Sequence, residues 1–127
     1  MGVAGPTIYL AEDDDATRTA IGLMLECEGL PVTGFASCDA LCAAVDPASA
    51  DLLILDIQMP GMSGLELLER LRGGQHAPPV ILMTGNPTSH VRSRAASAGA
   101  IACLEKPFQG DELVDLVKRA LLKPVPQ

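Results

Sequence analysis

Short apolar runs alternate along the whole chain with longer stretches in which apolar residues return at helical spacing. The run "TIYLA" predicts a strand. The segment from Asp14 to Glu28 then places Ala20, Ile21, Met24 and Leu25 on one helical face, and Gly29 offers a C-terminal stop. A weaker strand, "PVTGF", leads to a short helix capped by Ser37, which turns Leu41 and Val45 inward and breaks at Asp46-Pro47. "LLILD" is continuously apolar, as befits a strand covered on both faces, and it ends abruptly in Asp56. After "QMPGM", Ser63 and Glu66 have capping-box spacing and open a helix with Leu65, Leu68 and Leu71 inward. Gly73-Gly74 and Pro78-Pro79 bracket the next loop; "VILMT" is a second buried strand, Ser89 to Ala98 a helix of small residues and "AIACLE" the last strand. Asp111 and Glu112 enrich the first turn of a closing helix whose apolar stripe is Leu113, Leu116, Val117, Ala120 and Leu121.

Such alternation predicts an α/β fold: a single five-stranded parallel sheet, doubly wound, with helices on both faces because crossovers between parallel strands must cover the sheet. In open sheets of this kind ligands sit outside the carboxyl ends of the strands. The residues just past those ends are Glu12 and Asp13 after the first strand, Asp56 after the third, Thr84 after the fourth and Lys106 after the fifth. Crowded carboxylates suit a hard divalent cation with oxygen ligands, and Mg²⁺ with retained waters needs only one or two of them plus a phosphate oxygen. Beside such a cation an Asp carboxylate can attack phosphorus, with Lys106 neutralising one phosphoryl oxygen and the Thr84 hydroxyl donating to another. Taken singly, each of these residues is equally well a turn, cap or solvated surface residue. Their gathering at one sheet edge is what points to chemistry.

The chain of 127 residues has room for one domain with a core, and 48% of it is apolar. With two Phe, one Tyr and no Trp it lacks a stacking surface for single-stranded nucleic acid, and a net charge of -7 argues against direct binding to DNA, RNA or an anionic membrane. No apolar stretch approaches the ~20 residues of a membrane span, and "MGVAGP" lacks the features of a secretory signal. The expected location is cytoplasmic. Cys27, Cys38, Cys42 and Cys103 read as reduced, mostly buried thiols; zinc held by Cys38, Cys42, His76 and His90 matches no recognised spacing.

The motifs "AEDDD", "LLILDIQMPGMSGLELL", "VILMTG" and "CLEKPF", in this order and spacing, closely resemble the receiver domain of two-component response regulators, in particular the N-terminal domain of FixJ-like and NarL-type regulators. The resemblance implies a flavodoxin-like (βα)5 fold with strand order 2-1-3-4-5. It makes Asp56 the phosphoacceptor, charged by a sensor histidine kinase or a phosphotransfer protein in a Mg²⁺-dependent reaction in which Mn²⁺ could substitute. It makes Asp13 the direct metal ligand with Asp56, Glu12 a ligand through water, and the backbone carbonyl of Gln58 the remaining protein ligand. Thr84 matches the switch hydroxyl and Lys106 the lysine that meets the phosphoryl group, with a cis Lys106-Pro107 bond. Gln58 and Asn86 match positions that flank the path of hydrolytic water, whereas Asp14 and Asp15 match no ligand and suit the N-terminal dipole of the first helix. The chain departs from the family at Cys103, where Tyr or Phe is usual; the phosphorylation chemistry does not need that ring, but the output step does, and Cys103 is expected to pack passively.

The implied function is a phosphorylation-activated signalling switch that catalyses its own phosphorylation and dephosphorylation and is not a turnover enzyme. The face of the fourth helix, fifth strand and fifth helix would serve self-association or docking to an output domain or target. A non-phosphorylated pseudo-receiver acting as an interaction module is the alternative; the intact acids, Thr84 and Lys106 speak against it and only Cys103 for it. A Mg²⁺-dependent phosphohydrolase of the haloacid-dehalogenase type would carry a second Asp where this chain has Gln58. Residues 1–6 are expected to form a flexible leader, 7–122 the receiver domain, and 123–127 a C-terminal tail or truncated linker.

Overall fold

The computed structural model describes residues 5–73 and 77–122. Most of the expected leader and all of the expected tail, together with Gly74 and His76, lie outside them. The strands are β1 (Ile8–Ala11), β2 (Val32–Phe35), β3 (Leu52–Asp56), β4 (Val80–Thr84) and β5 (Ala102–Glu105). The helices are α1 (Asp15–Glu26), α2 (Cys38–Ala44), α3 (Gly64–Arg72), α4 (Ser89–Ser97) and α5 (Gly110–Leu122), with a 3-10 turn at Pro47–Ser49. All neighbouring strands pair in parallel, and the order is β2-β1-β3-β4-β5.

Side chains alternate across β3 and β4, and each face carries its own apolar layer. Leu53, Leu55, Val80 and Leu82 face α2, α3 and α4 through Leu41, Leu65, Leu68 and Ala95. Leu52, Ile54, Ile81 and Met83 face α1 and α5 through Ile21, Leu25, Leu113 and Val117. This two-sided burial is why "LLILD" and "VILMT" read as unbroken apolar runs. At ~25 cal/mol per Å² of apolar surface, each fully buried Leu or Ile contributes roughly 1.5–3 kcal/mol before chain entropy is set against it.

The local stops work as the residue types require. Gly29 adopts φ +76, and the Leu30 and Gly29 amides return to the Leu25 and Glu26 carbonyls, a Schellman closure of α1. Ser63 and Glu66 form the expected capping box. Some expectations shift at the edges. Ala20 is exposed, because the buried stripe of α1 is carried by Ile21 and Leu25 alone. The last strand starts only at Ala102, and Ile101 before it is exposed. The thiols are not mostly buried: Cys38 is buried, Cys103 half-buried, and Cys27 and Cys42 exposed. No helix among the described residues is long and apolar enough to cross a membrane.

Gly64 opens α3 directly against the end of β3. A Cβ built on it would lie 2.7 Å from the Asp56 carbonyl oxygen and 2.8 Å from Leu55 Cβ, closer than packed atoms tolerate. Gly64→Ala should therefore lose about 1–3 kcal/mol in urea unfolding, the usual cost of overpacking. An unchanged midpoint would show that α3 can lift off β3 freely.

Candidate functional site at the carboxyl edge of the sheet

The parallel register sets the strand ends level. Ala11 pairs with Leu55, Asp56 with Met83, and Thr84 with Glu105, so the next residues of β1 and β5, Glu12 and Lys106, emerge beside Asp56 and Thr84. Strand order reverses between β1 and β3, the place where such sheets leave a crevice. Glu12, Asp56 and Thr84 are the buried polar or charged residues of the core, each with 1–2% of its surface exposed.

Lys106 joins the two buried acids. Its Nζ lies 2.5 Å from Glu12 Oε1 and 2.8 Å from Asp56 Oδ2, reached from a cis Lys106-Pro107 turn as the resemblance implied. Burial pushes the Glu12 carboxyl above its ordinary range; hydrogen bonds from Lys106 and the Asp14 amide oppose this, and the Asp56 charge adds to it. Burial also works against the Lys106 ammonium, but its hydrogen bonds to Asp56 and Glu12 prevail and raise it, so it stays charged at neutral pH.

Glu12, Asp13 and Asp56 each offer a carboxylate oxygen, and these oxygens lie within 4.8 Å of one another. Two buried carboxylates and one exposed one, with a single ammonium between them, form an oxygen-only, net-negative donor set that fits Mg²⁺ or Mn²⁺. This is the only such cluster of potential ligands among the described residues; Cys38, Cys42 and His90 form none there, and His76, the fourth residue of the zinc alternative, lies outside them.

The acidic run divides where the helix begins. Asp14 is the N-cap of α1, its Oδ2 accepting from the Thr17 amide at 2.8 Å and the Thr17 hydroxyl at 2.6 Å, and these bonds hold its carboxyl below its usual range. Asp15 occupies the first turn and pairs with Arg18. Arg18, which nothing in the sequence singled out, also donates to the Glu12 carbonyl at 2.9 Å and so fixes the backbone from which Glu12 and Asp13 project.

On the other side, the Gln58 amide donates to Asp56 Oδ1 at 3.0 Å, and the Asn86 amide donates to the Thr84 hydroxyl oxygen at 3.0 Å. The Gln58 side chain crosses to the end of β4, a contact its backbone assignment did not foresee. Cys103 lies half-buried against the core in β5 and lines a cavity of about 230 Å³ with Arg92, Ala95 and Ala100, space that small residues leave open.

Comparison with known proteins agrees with this geometry. Residues 8–118 match the model of the response regulator receiver domain. The chain is 34% identical over 119 residues to the transcriptional regulatory protein FixJ of Bradyrhizobium diazoefficiens, covering 94% of this chain and 58% of that protein. It is 36% identical over 117 residues to the C4-dicarboxylate transport regulator DctD of Rhizobium meliloti, covering 92% of this chain and 25% of that protein. The chain thus spans little more than half of FixJ and a quarter of DctD. A crystal structure of a CheY-like receiver domain protein from Methanospirillum hungatei superposes with a TM-score of 0.84 at 28% identity, covering 93% of this chain and 94% of that one. A buried acid pair joined by a lysine at the crevice of a 2-1-3-4-5 sheet, and a family match spanning all five strands, place this chain in the response regulator receiver domain family.

Proposed function

We propose that the domain within residues 7–122 receives a phosphoryl group on Asp56 and switches conformation in response. The observation that carries this reading is the Asp56 carboxylate itself: buried, held by Lys106 and the Gln58 amide, and sharing a cation-sized cluster with Glu12 and Asp13. A carboxylate nucleophile needs no general base. Its carboxylate forms the new oxygen–phosphorus bond as the phosphorus–nitrogen bond to a histidine on a sensor kinase or phosphotransfer protein breaks and the electron pair leaves with the imidazole. Asp13 and Asp56, with Glu12 through water and the Gln58 carbonyl, would hold Mg²⁺, which when bound supplies charge neutralisation for the phosphoryl oxygens. Lys106 neutralises a further oxygen and Thr84 donates to another.

Phosphorylation exchanges the single charge of the Asp56 carboxylate for about two on a phosphoryl group with three acceptor oxygens beside Thr84 and Lys106, and biases two existing conformations of the domain. Output through α4, β5 and α5, by self-association or by docking of an output domain, is part of the same proposal. So is a signalling role without steady turnover in the cytoplasm.

Labelling with acetyl phosphate tests the reading. The chain should take up an alkali-labile phosphoryl group with Mg²⁺ and none with a chelator. Neutralising the two halves of the acidic run should separate them: Asp13→Asn should weaken Mg²⁺ binding at least tenfold, as expected for a direct ligand. Asp14→Asn should leave it near the parent value, since Asp14 is occupied by Thr17. Equal damage from both would place the boundary between metal site and cap elsewhere. Failure both to label and to bind the phosphoryl mimic beryllofluoride would overturn the function.

A further inference from the structure

Gln58 reaches from the β3–α3 loop to the end of β4. Its Oε1 accepts from the Gly85 amide at 2.8 Å and from the Thr84 hydroxyl at 3.3 Å, while the Gln58 backbone N–H donates to Asp56 Oδ1 at 3.0 Å. The Thr84 oxygen in turn accepts from the Asn86 amide at 3.0 Å. A hydroxyl and a backbone amide have one proton each, so both donors are committed to one side-chain oxygen. Two donors converging on one oxygen is the arrangement that an anionic oxygen on a group borne by Asp56 would use, and here a neutral amide oxygen takes that part.

We propose that the Gln58 carboxamide is a latch on the Thr84 and Gly85 donors, holding the turn between β4 and α4 in its unphosphorylated arrangement until a phosphoryl oxygen displaces it. The proposal rests on Asp56 being the acceptor. Gln58 does not block the site, because hydrogen bonds to an anionic oxygen are about twice as strong as those to a neutral amide. It sets a threshold: both bonds to Gln58 are given up before both bonds to the phosphoryl group form, and they are regained when that group leaves. Gln58 is therefore a positioning residue, acting through Thr84 and Gly85.

Two substitutions separate hydrogen bonding from bulk. Gln58→Met keeps the length of the side chain and deletes its acceptor; Gln58→Ala deletes both. Gln58 is exposed, so neither opens the core. The measurement is the affinity for beryllofluoride with saturating Mg²⁺, together with the amide NMR signal of Gly85 in the unliganded proteins. Both variants should bind beryllofluoride about three- to tenfold more tightly than the parent, the factor that roughly one net neutral hydrogen bond represents. The Gly85 signal should move in Gln58→Met before any ligand is added. A parent protein that binds no beryllofluoride overturns the acceptor reading itself. A parent that binds it, with Gln58→Met showing parental affinity and an unmoved Gly85 signal, overturns the latch alone. Tightening in Gln58→Ala but not in Gln58→Met assigns the effect to bulk and also overturns it.

Discussion

Asp56→Asn should take up no phosphoryl label from acetyl phosphate and Mg²⁺ under conditions that label the parent fully, while keeping its fold. A carboxamide is neutral and its oxygen is far less nucleophilic than a carboxylate's, so the bond to phosphorus does not form. Stability should be retained or raised, because the substitution removes one of two buried carboxylates that face each other across Lys106 and leaves the lysine to serve Glu12. The side chain keeps its oxygen for the Gln58 amide. Urea unfolding run beside the labelling assay distinguishes loss of chemistry from loss of structure. Label persisting on another residue of a folded Asp56→Asn protein would show that the acceptor has been misassigned.

The residues meeting at this edge were legible in the sequence for a simple physical reason. A parallel sheet with short connections brings every strand's carboxyl end to one side, so the residue after each apolar run is placed by topology without knowledge of any contact. Glu12, Asp56, Thr84 and Lys106 follow from that rule, and the Ser63 capping box and the Gly29 stop follow from local chemistry. What escaped depends on contacts distant in sequence. Gln58 meets Gly85 across 27 positions, and nothing in "DIQMPG" tells which way its amide turns. Arg18 reads as an ordinary polar position of α1, and its hold on the Glu12 carbonyl appears only once the helix is docked.

The fourth helix shows the same limit from the other side. Only Ala95 is buried along α4, and the helix is tied to its surroundings by Arg94 with Glu69 at 2.7 Å, by Arg92 with Glu105 at 3.6 Å and by Arg72 donating to the Ser97 carbonyl. Exposed ion pairs of this kind are worth little individually, roughly 0–1 kcal/mol. An element held by small residues and weak polar ties suits a face that rearranges, but its seat could not be read from a periodic apolar stripe it does not have.

Lys106→Met should markedly destabilise the metal-free domain, and its cost should depend on pH. The lysine is the positive partner of both buried carboxylates, and removing it leaves Glu12 and Asp56 facing each other in a site where each is at most 3% exposed. Breaking a buried pair in this way typically costs about 3–5 kcal/mol; with the Lys106 side chain a quarter exposed, about 2–4 kcal/mol is expected at pH 7.5. Burial already holds the Glu12 carboxyl above its ordinary value of 4.5, opposed by the Lys106 hydrogen bond, and without that bond it rises further. A carboxyl raised in the folded state keeps a proton that the unfolded chain has lost, so stability falls as pH rises from the unfolded value through the folded one. In Lys106→Met that interval is wider, and the deficit relative to the parent should be small at pH 4, grow as pH rises through the interval and level off above it. Added Mg²⁺ should narrow it, since the carboxylates freed of the competing ammonium bind the cation more tightly than in the parent, and mass action then stabilises the variant more. Urea unfolding at pH 4 and pH 7.5, with and without Mg²⁺, measures all of this. A deficit equal at both pH values and indifferent to Mg²⁺ would mean that Lys106 contributes the packing of its stem and not its charge.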